Sequence, residues 1–353
     1  MQINVGILGF AHGHVIAFGT EWVKNPDMGI KVTKGWDVEP KRMEDGCGKL
    51  NAQPSETVES VLNDKDISAV VISSETKYHA DLAVQAAKAG KGVILYKPMS
   101  LTMNEADKIV DAVEKHDIPF TIGYQMRVDP QNIKIKELVN DNAIGKIHAY
   151  RRRHGLPTHT WPGFDELWHV MPDMNRDIFA DDAAHPIDML NWLFGKPETV
   201  MAELSTMHNP KVVNDNGVAL FKYNNGLIAE ISGYFTCVAS EPTTEVYGEK
   251  GTILQNYGDV PATRLPRPSD QPGLKWYVEG ENDWTHSEIP SPNSHGERIA
   301  NQALPFAEFL HGKRPPICTA KEGRDSLAMT LACYVSNKFG ERVKIDDPRV
   351  YEV

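Results

Sequence analysis

The sequence predicts an α/β protein whose N-terminal part is a doubly wound parallel sheet and whose C-terminal part is an α+β domain with a large, mainly antiparallel sheet. Three observations predict it. Short apolar runs alternate with helical patterns over residues 1–121. The first run leads into a glycine-bearing turn, Gly9-Phe10-Ala11-His12-Gly13-His14. From residue 122 onward, strand runs joined by tight turns replace that alternation.

Five runs, Ile3–Leu8, Ile30–Trp36, Ile67–Ser73, Gly92–Leu95 and Pro119–Gly123, are short and nearly continuously apolar, as parallel strands covered on both faces require. Between them, Tyr78–Lys88 carries Ala80, Leu82, Ala83, Ala86 and Ala87 and stops at Gly90. Thr102 and Glu105 have capping-box spacing, and Ala106, Ile109, Val110 and Val113 then repeat with helical period. The second part, residues 122–353, has helical patterns at 129–140, 186–194, 301–311 and 321–338. Val218–Tyr223 and Leu227–Phe235 flank Asn224-Asn225-Gly226 as a hairpin. Thr243–Tyr247 and Thr252–Tyr257 flank a second turn, Gly248–Gly251. Residues 258–296, rich in Pro, Gly, Asp and Ser, are expected to form a long loop-rich excursion.

The composition is that of a globular domain pair, 41% hydrophobic and 24% charged. A net charge of −11 argues against general binding to nucleic acid or to an anionic membrane. The tight basic run Arg151-Arg152-Arg153 reads as a solvated strand or an ion-pairing site. No run approaches the length of a membrane span, and the opening lacks the pattern of a secretory leader. Cys47, Cys237, Cys318 and Cys333 are widely spaced without a C-x-x-C, so no zinc or redox motif is signalled and a cytoplasmic protein with reduced thiols is expected.

A dinucleotide turn brings backbone N–H groups to a pyrophosphate at a helix N-terminus, and its usual spacing is G-x-G-x-x-G. Here Gly9 fits, Ala11 takes the second position and His14 the third, with Gly13 beside it. Asp37 ends the second strand, where a carboxylate can accept the adenosine ribose hydroxyls and repel a 2′-phosphate, favouring NAD over NADP. Lys97 follows the fourth strand and is fixed by Pro98, at the strand ends where ligands of such sheets bind. A lysine there can donate to a substrate hydroxyl, although a lone lysine after a strand is commonly a surface residue. Asp181, His185 and Asp188 can share a helix face, with a neutral imidazole as proton acceptor and a carboxylate to orient it. The same residues also suit a plain helix start, with acids at its positive end and Pro186 in the first turn. His154, His159 and His169 match no compact metal motif and suit polar sugar contacts better, so no metal is expected. Trp161 and Trp168 could stack on a sugar ring or pack in the core.

Taken in order, these residues resemble the Gfo/Idh/MocA-type oxidoreductases over nearly the whole chain. Val5-Gly6-Ile7-Leu8-Gly9 resembles the family opening, and the stretch Ser73–His79 its T-P-N-x-x-H loop. Tyr96-Lys97-Pro98 stands for E-K-P, and Gly123–Pro130 resembles the next strand end. The stretch Asp181–Asp188 stands for D-x-G-x-H-x-x-D, and Glu245–Thr252 for V-x-G-x-x-G-T. The resemblance implies a Rossmann domain over 1–121 and a substrate-binding and oligomerisation domain over 122–353 whose open sheet builds homodimers or homotetramers. It implies bound NAD(H) or NADP(H), of which Asp37 favours NAD, with contacts from Gly9, Phe10, Ala11, His12, Gly13, His14, Asp37, Ser73, Ser74, His79, Tyr96, Lys97 and Gln125. It makes Lys97, Asp181 and His185 catalytic, and Arg127, His154 and Trp161 join them as substrate contacts. Tyr96 in place of glutamate, and Ala11 and His14 in place of glycines, depart from the pattern.

The expected activity is reversible hydride transfer between NAD and a secondary alcohol of a sugar, cyclitol or glycoside. Two alternatives stay open: an NAD-dependent glycosidase with an internally cycling cofactor, and a regulator that senses nucleotide or ligand without turnover.

Overall fold

The computed structural model describes residues 2–239, 243–256 and 273–353. The chain divides into two compact units, the first made of residues 1–125, 173–175 and 299–324, the second of 126–172, 176–298 and 325–353. The first unit thus takes up two later segments that a single division after residue 121 leaves with the second part.

The first unit opens with β1 (Ile3–Leu8), α1 (His14–Lys24), β2 (Ile30–Trp36), α2 (Pro40–Leu50), β3 (Gln53–Pro54) and α3 (Val58–Leu62). It continues with β4 (Ile67–Ile72), α4 (His79–Lys88), β5 (Gly92–Leu95), α5 (Met103–His116) and β6 (Phe120–Ile122). All pairings are parallel, in the order β3-β2-β1-β4-β5-β6. The apolar runs read from the sequence are these strands, and their central residues Ile7, Leu8, Val71, Ile72, Ile94 and Leu95 are fully buried. Each such side chain stabilises the sheet by roughly 1.5–3 kcal/mol relative to an exposed one. Strand order reverses direction between β1 and β4, so the crevice for ligands lies beyond Leu8 and Ile72. The capping box of α5 forms as expected: Thr102 Oγ1 accepts from the Glu105 amide, and Glu105 Oε2 from the Thr102 amide.

Past residue 125 the chain runs α6 (Pro130–Asn140), β7 (Ile147–Gly155), α7 (Pro172–Asn175), α8 (Ala184–Phe194), β8 (Thr199–Ser205), β9 (Asn216–Lys222) and β10 (Ile228–Tyr234). It continues with β11 (Thr243–Gly248), β12 (Gly251–Gln255), β13 (Leu274–Val278) and β14 (Thr285–His286). It closes with α9 (His295–Ala300), α10 (Ala303–Leu310), α11 (Ala320–Phe339) and β15 (Val343–Lys344). The strands of the second unit form a nine-stranded sheet, β14-β13-β12-β11-β7-β10-β9-β8-β15, antiparallel except for the pair β7–β10. Both expected hairpins are present, although Tyr257, the last residue read into the second, lies outside the described residues.

Two readings need correction here. Of the loop-rich segment 258–296, residues 258–272 lie outside those described, but β13 and β14 occupy part of the rest and α9 begins at its end. Trp276 pairs with Ile253 on one side and with Thr285 of the edge strand β14 on the other, and Gly and Asp residues between β13 and β14 disguise this pairing in the sequence. Of the two readings of the basic run, the ion-pairing one holds at Arg151 and Arg153, while the solvated one fails at Arg152. The strand pleat sends Arg151 to Glu230 (3.2 Å) and Arg153 to Thr243 (2.9 Å), while Arg152 turns inward, fully buried, to Thr244 Oγ1 (2.8 Å).

Candidate functional site

The turn from β1 to α1 is set by Gly9, whose φ is +94°. A Cβ there would stand 2.4 Å from Ser74 Cα, so only glycine fits. The turn is stitched to the loop after β4: the His12 amide donates to Ser73 O (2.9 Å) and Ser73 Oγ donates to His12 O (2.9 Å). Phe10 is buried against Gly35 and Gly46 and anchors the turn to β2 and α2. Gly13, the N-cap of α1, is different. A Cβ on it would meet nothing within 4 Å, the helix start has no side-chain cap, and its first turn has no acid. Open space therefore lies at the start of α1, where the Val15 and Ile16 amides donate to His12 O and Gly13 O at 3.2 Å each.

Asp37 is buried beyond β2, and its carboxylate is fully engaged. Oδ2 accepts from the Phe10 amide (2.6 Å) and Arg42 Nε (2.9 Å), Oδ1 from the Glu39 amide (2.8 Å) and Arg42 Nη2 (2.7 Å). Arg42 Nη2 also reaches Glu75 Oε1 at 2.8 Å. Burial works against the Arg42 charge, but hydrogen bonds and charge from Asp37 and Glu75 outweigh it and raise its pKa.

Lys97 is 2% exposed, which removes the surface reading. It precedes a cis bond to Pro98, whose carbonyl lies 2.8 Å from His79 Nδ1. His79 Nε2 lies 3.2 Å from Ser74 O. Burial pulls the His79 pKa down to about 4, so the ring is neutral near pH 7, carries one N–H and donates to one of these two carbonyls. Tyr96 is buried beneath the turn: its hydroxyl donates to Gln302 Oε1 (2.6 Å) and lies 2.9 Å from His14 Nδ1. The His12 ring packs on both His14 and Tyr96. Gln125 Oε1 is enclosed without a hydrogen-bond partner among the described residues.

In the second unit, a π-helical turn, Phe179–Ala183, runs directly into α8 and carries Asp181 and Asp182 one turn ahead of His185. Asp181 Oδ2 lies 3.2 Å from His169 Nδ1, and the His169 ring stacks on Trp168. Asp182 Oδ2 lies 2.7 Å from Nε2 of His154, at the end of β7, and the other ring nitrogen of His154 is enclosed with no partner among the described residues. His185 is 2% exposed. Trp161 is solvent-exposed rather than core, edge-on to Phe164, beside a cavity of about 60 Å³ that His159, Asp165 and His208 also line.

Two sequence expectations change. Asp188 does not join the acid–base cluster: it accepts from Arg127 Nε (2.8 Å), Arg127 Nη2 (2.9 Å) and Ser326 Oγ (2.8 Å) deep in the unit. Arg127, read as a substrate contact, is thereby held in a buried bidentate ion pair. Sequence reasoning also missed Arg42, Glu75, Asp182 and Gln302. Only Glu75 left a signal, a charged side chain in a loop where the resembled motif has proline. Among the described residues, no group of three or more His, Cys, Asp or Glu could hold a metal ion, and no helix is long and apolar enough to cross a membrane.

The chain matches the family model for the NAD-binding Rossmann fold of the oxidoreductase family over residues 3–124, and that for the GFO/IDH/MocA C-terminal domain over residues 132–254. It belongs to the GFO/IDH/MocA oxidoreductase family. An uncharacterized oxidoreductase of Bacillus subtilis, YrbE, is 26% identical, the match covering 98% of this chain and 97% of that one. Myo-inositol 2-dehydrogenase of Thermotoga maritima is 23% identical, with 98% of this chain and 99% of that one covered. The solved structure of a levoglucosan dehydrogenase in complex with NADH and levoglucosan has the same fold, with a TM-score of 0.84, 20% identity, and 98% of this chain and 100% of that one covered.

The first unit of this family member suits NAD. Gly13 leaves room at the start of α1 for a pyrophosphate, and Gln125 Oε1 and Glu75 Oε2 are enclosed without a donor among the described residues. Two of the departures from the family motif, His14 and Tyr96, contact each other, with His14 Nδ1 2.9 Å from the Tyr96 hydroxyl.

Proposed function

We propose that this oxidoreductase oxidises a secondary alcohol of a sugar, cyclitol or glycoside. NAD, when bound, supplies the hydride acceptor. His185 takes the hydroxyl proton, as a neutral imidazole does near neutral pH. Lys97 donates a hydrogen bond to the same oxygen and favours its negative charge. Asp181, itself held by His169, orients the substrate, with His154 and Trp161 as further sugar contacts. The observation that carries the reading is the burial of Lys97 and His185, each 2% exposed, in a chain of this family. Basic side chains so deep in a protein are uncommon outside functional or paired settings. The outer face of the nine-stranded sheet exposes Met201, Leu220 and Ile228, which supports a homodimer or homotetramer. Among the described residues the cysteines form no disulfide, and Cys47, Cys318 and Cys333 are buried, which fits a cytoplasmic setting.

The test mixes the protein with NAD or NADP and a panel of sugars, inositols and glycosides and follows the absorbance of the reduced cofactor. Turnover with one polyol class is expected, and Lys97→Met should lower kcat by roughly a hundredfold or more while NAD still binds. Near-normal turnover in that variant would remove the lysine role. Glycoside cleavage without net reduced cofactor would overturn the net dehydrogenase reading.

A further inference from the structure

Four charged groups, Asp37, Glu39, Arg42 and Glu75, meet beyond the carboxyl ends of β2 and β4. Asp37, whose position in such folds ordinarily serves the ribose hydroxyls, is closed off: two amides and two Arg42 nitrogens fill the roughly four acceptor positions a carboxylate offers. Glu75 is not closed off. Its Oε1 accepts from Arg42 Nη2 at 2.8 Å, while its Oε2 is enclosed and has no hydrogen-bond partner among the described residues. A buried carboxylate oxygen without a donor is an unfavourable arrangement that a hydroxyl would relieve. Arg42, meanwhile, is the kind of residue that near this strand end would receive a 2′-phosphate. Asp37 and Glu75 hold it from two sides and the more exposed Glu39 lies 3.7 Å from it, so three carboxylates face one guanidinium.

We propose that Glu75, through its ion pair with Arg42, determines dinucleotide choice by rejecting a 2′-phosphate on the adenosine ribose. The inference rests on the first unit being a nicotinamide-dinucleotide site. A 2′-phosphate arrives as a dianion against the surplus negative charge and must draw Arg42 away from the carboxylates that hold it. A 2′-hydroxyl requires neither step and can donate to Glu75 Oε2. Glu75 therefore does what Asp37, saturated by its neighbours, does not do alone.

The experiment is a fluorescence titration of the full-length protein with NADH and with NADPH, read as the ratio of the two Kd values. The wild type is expected to favour NADH. Glu75→Gln keeps the shape and removes the charge, and should shift the ratio toward NADPH by roughly tenfold, the scale of one charge–charge interaction near a protein surface. Arg42→Ala added to Glu75→Gln should cancel the gain. Raising the salt concentration should narrow the wild-type ratio by screening the repulsion, a readout that needs no variant. A ratio unchanged in Glu75→Gln, or a wild-type ratio insensitive to salt, overturns the assignment of Glu75. A wild type that binds NADPH as well as NADH overturns it too but leaves the dinucleotide site standing, whereas binding of neither removes the reading on which it rests.

Discussion

The two units hold their functional side chains by different means. In the first, the polar groups are tied largely to backbone: Asp37 to the amides of Phe10 and Glu39, Ser73 to His12 O, and His79 to the carbonyl of Ser74 or Pro98. In the second they are tied to one another: Asp181 to His169, Asp182 to His154, and Asp188 to Arg127 and Ser326. Backbone partners are supplied by the strand ends themselves and survive many substitutions. Side-chain partners are supplied by single residues, and loss of one leaves the other buried and unsatisfied. The first unit should therefore fail mainly where the backbone path is touched, and the second wherever one member of a pair is removed.

The largest effect expected of that contrast is at Arg127. Arg127→Ala strands the fully buried Asp188 carboxylate and should destabilise the protein by about 3–5 kcal/mol in a urea unfolding series. The double variant Arg127→Met/Asp188→Leu should recover most of the loss, and equal destabilisation by both would show that packing rather than charge is at stake.

Next is the backbone path of the first unit. Gly9→Ala forces a Cβ against Ser74 and holds alanine at a φ of +94°, which should cost about 2–4 kcal/mol. Gly13→Ala meets open space and should leave the melting temperature nearly unchanged while weakening NAD binding in a titration. Equal behaviour of the two variants would break the distinction between a glycine the fold needs and one the ligand needs.

The smallest effect is a pH slope. Burial lowers the His79 pKa from 6.5 to about 4, so between those values the unfolded chain binds a proton that the folded one does not. Stability is then full above the unfolded value and is lost as pH falls, by about 2 kcal/mol on reaching roughly pH 5. His79→Gln should flatten that part of the stability–pH curve, and an unchanged slope would mean that other groups carry it.

By itself the sequence determined the elements and the chemistry-bearing segments. Parallel strands buried on both faces must be continuously apolar, so all five main strands of the first sheet could be read directly, and a left-handed glycine at a strand end marks the nucleotide turn. The hairpins of the second unit were readable from turn residues, and the segments that carry Lys97, Asp181 and His185, the residues of the proposed reaction, stood out in the sequence. Only the tertiary structure decided the partners. It closed Asp37 with Arg42, drew Glu75 into the same cluster, set Tyr96 on His14, and took Arg127 and Asp188 out of the reactive set. It also placed β7 parallel to β10 inside an otherwise antiparallel sheet. The physical reason is the same in each case. Periodicity and turn preference act over a few residues, whereas the pairing of buried charges and the register of strands are settled by groups tens of residues apart that meet only when the chain is packed.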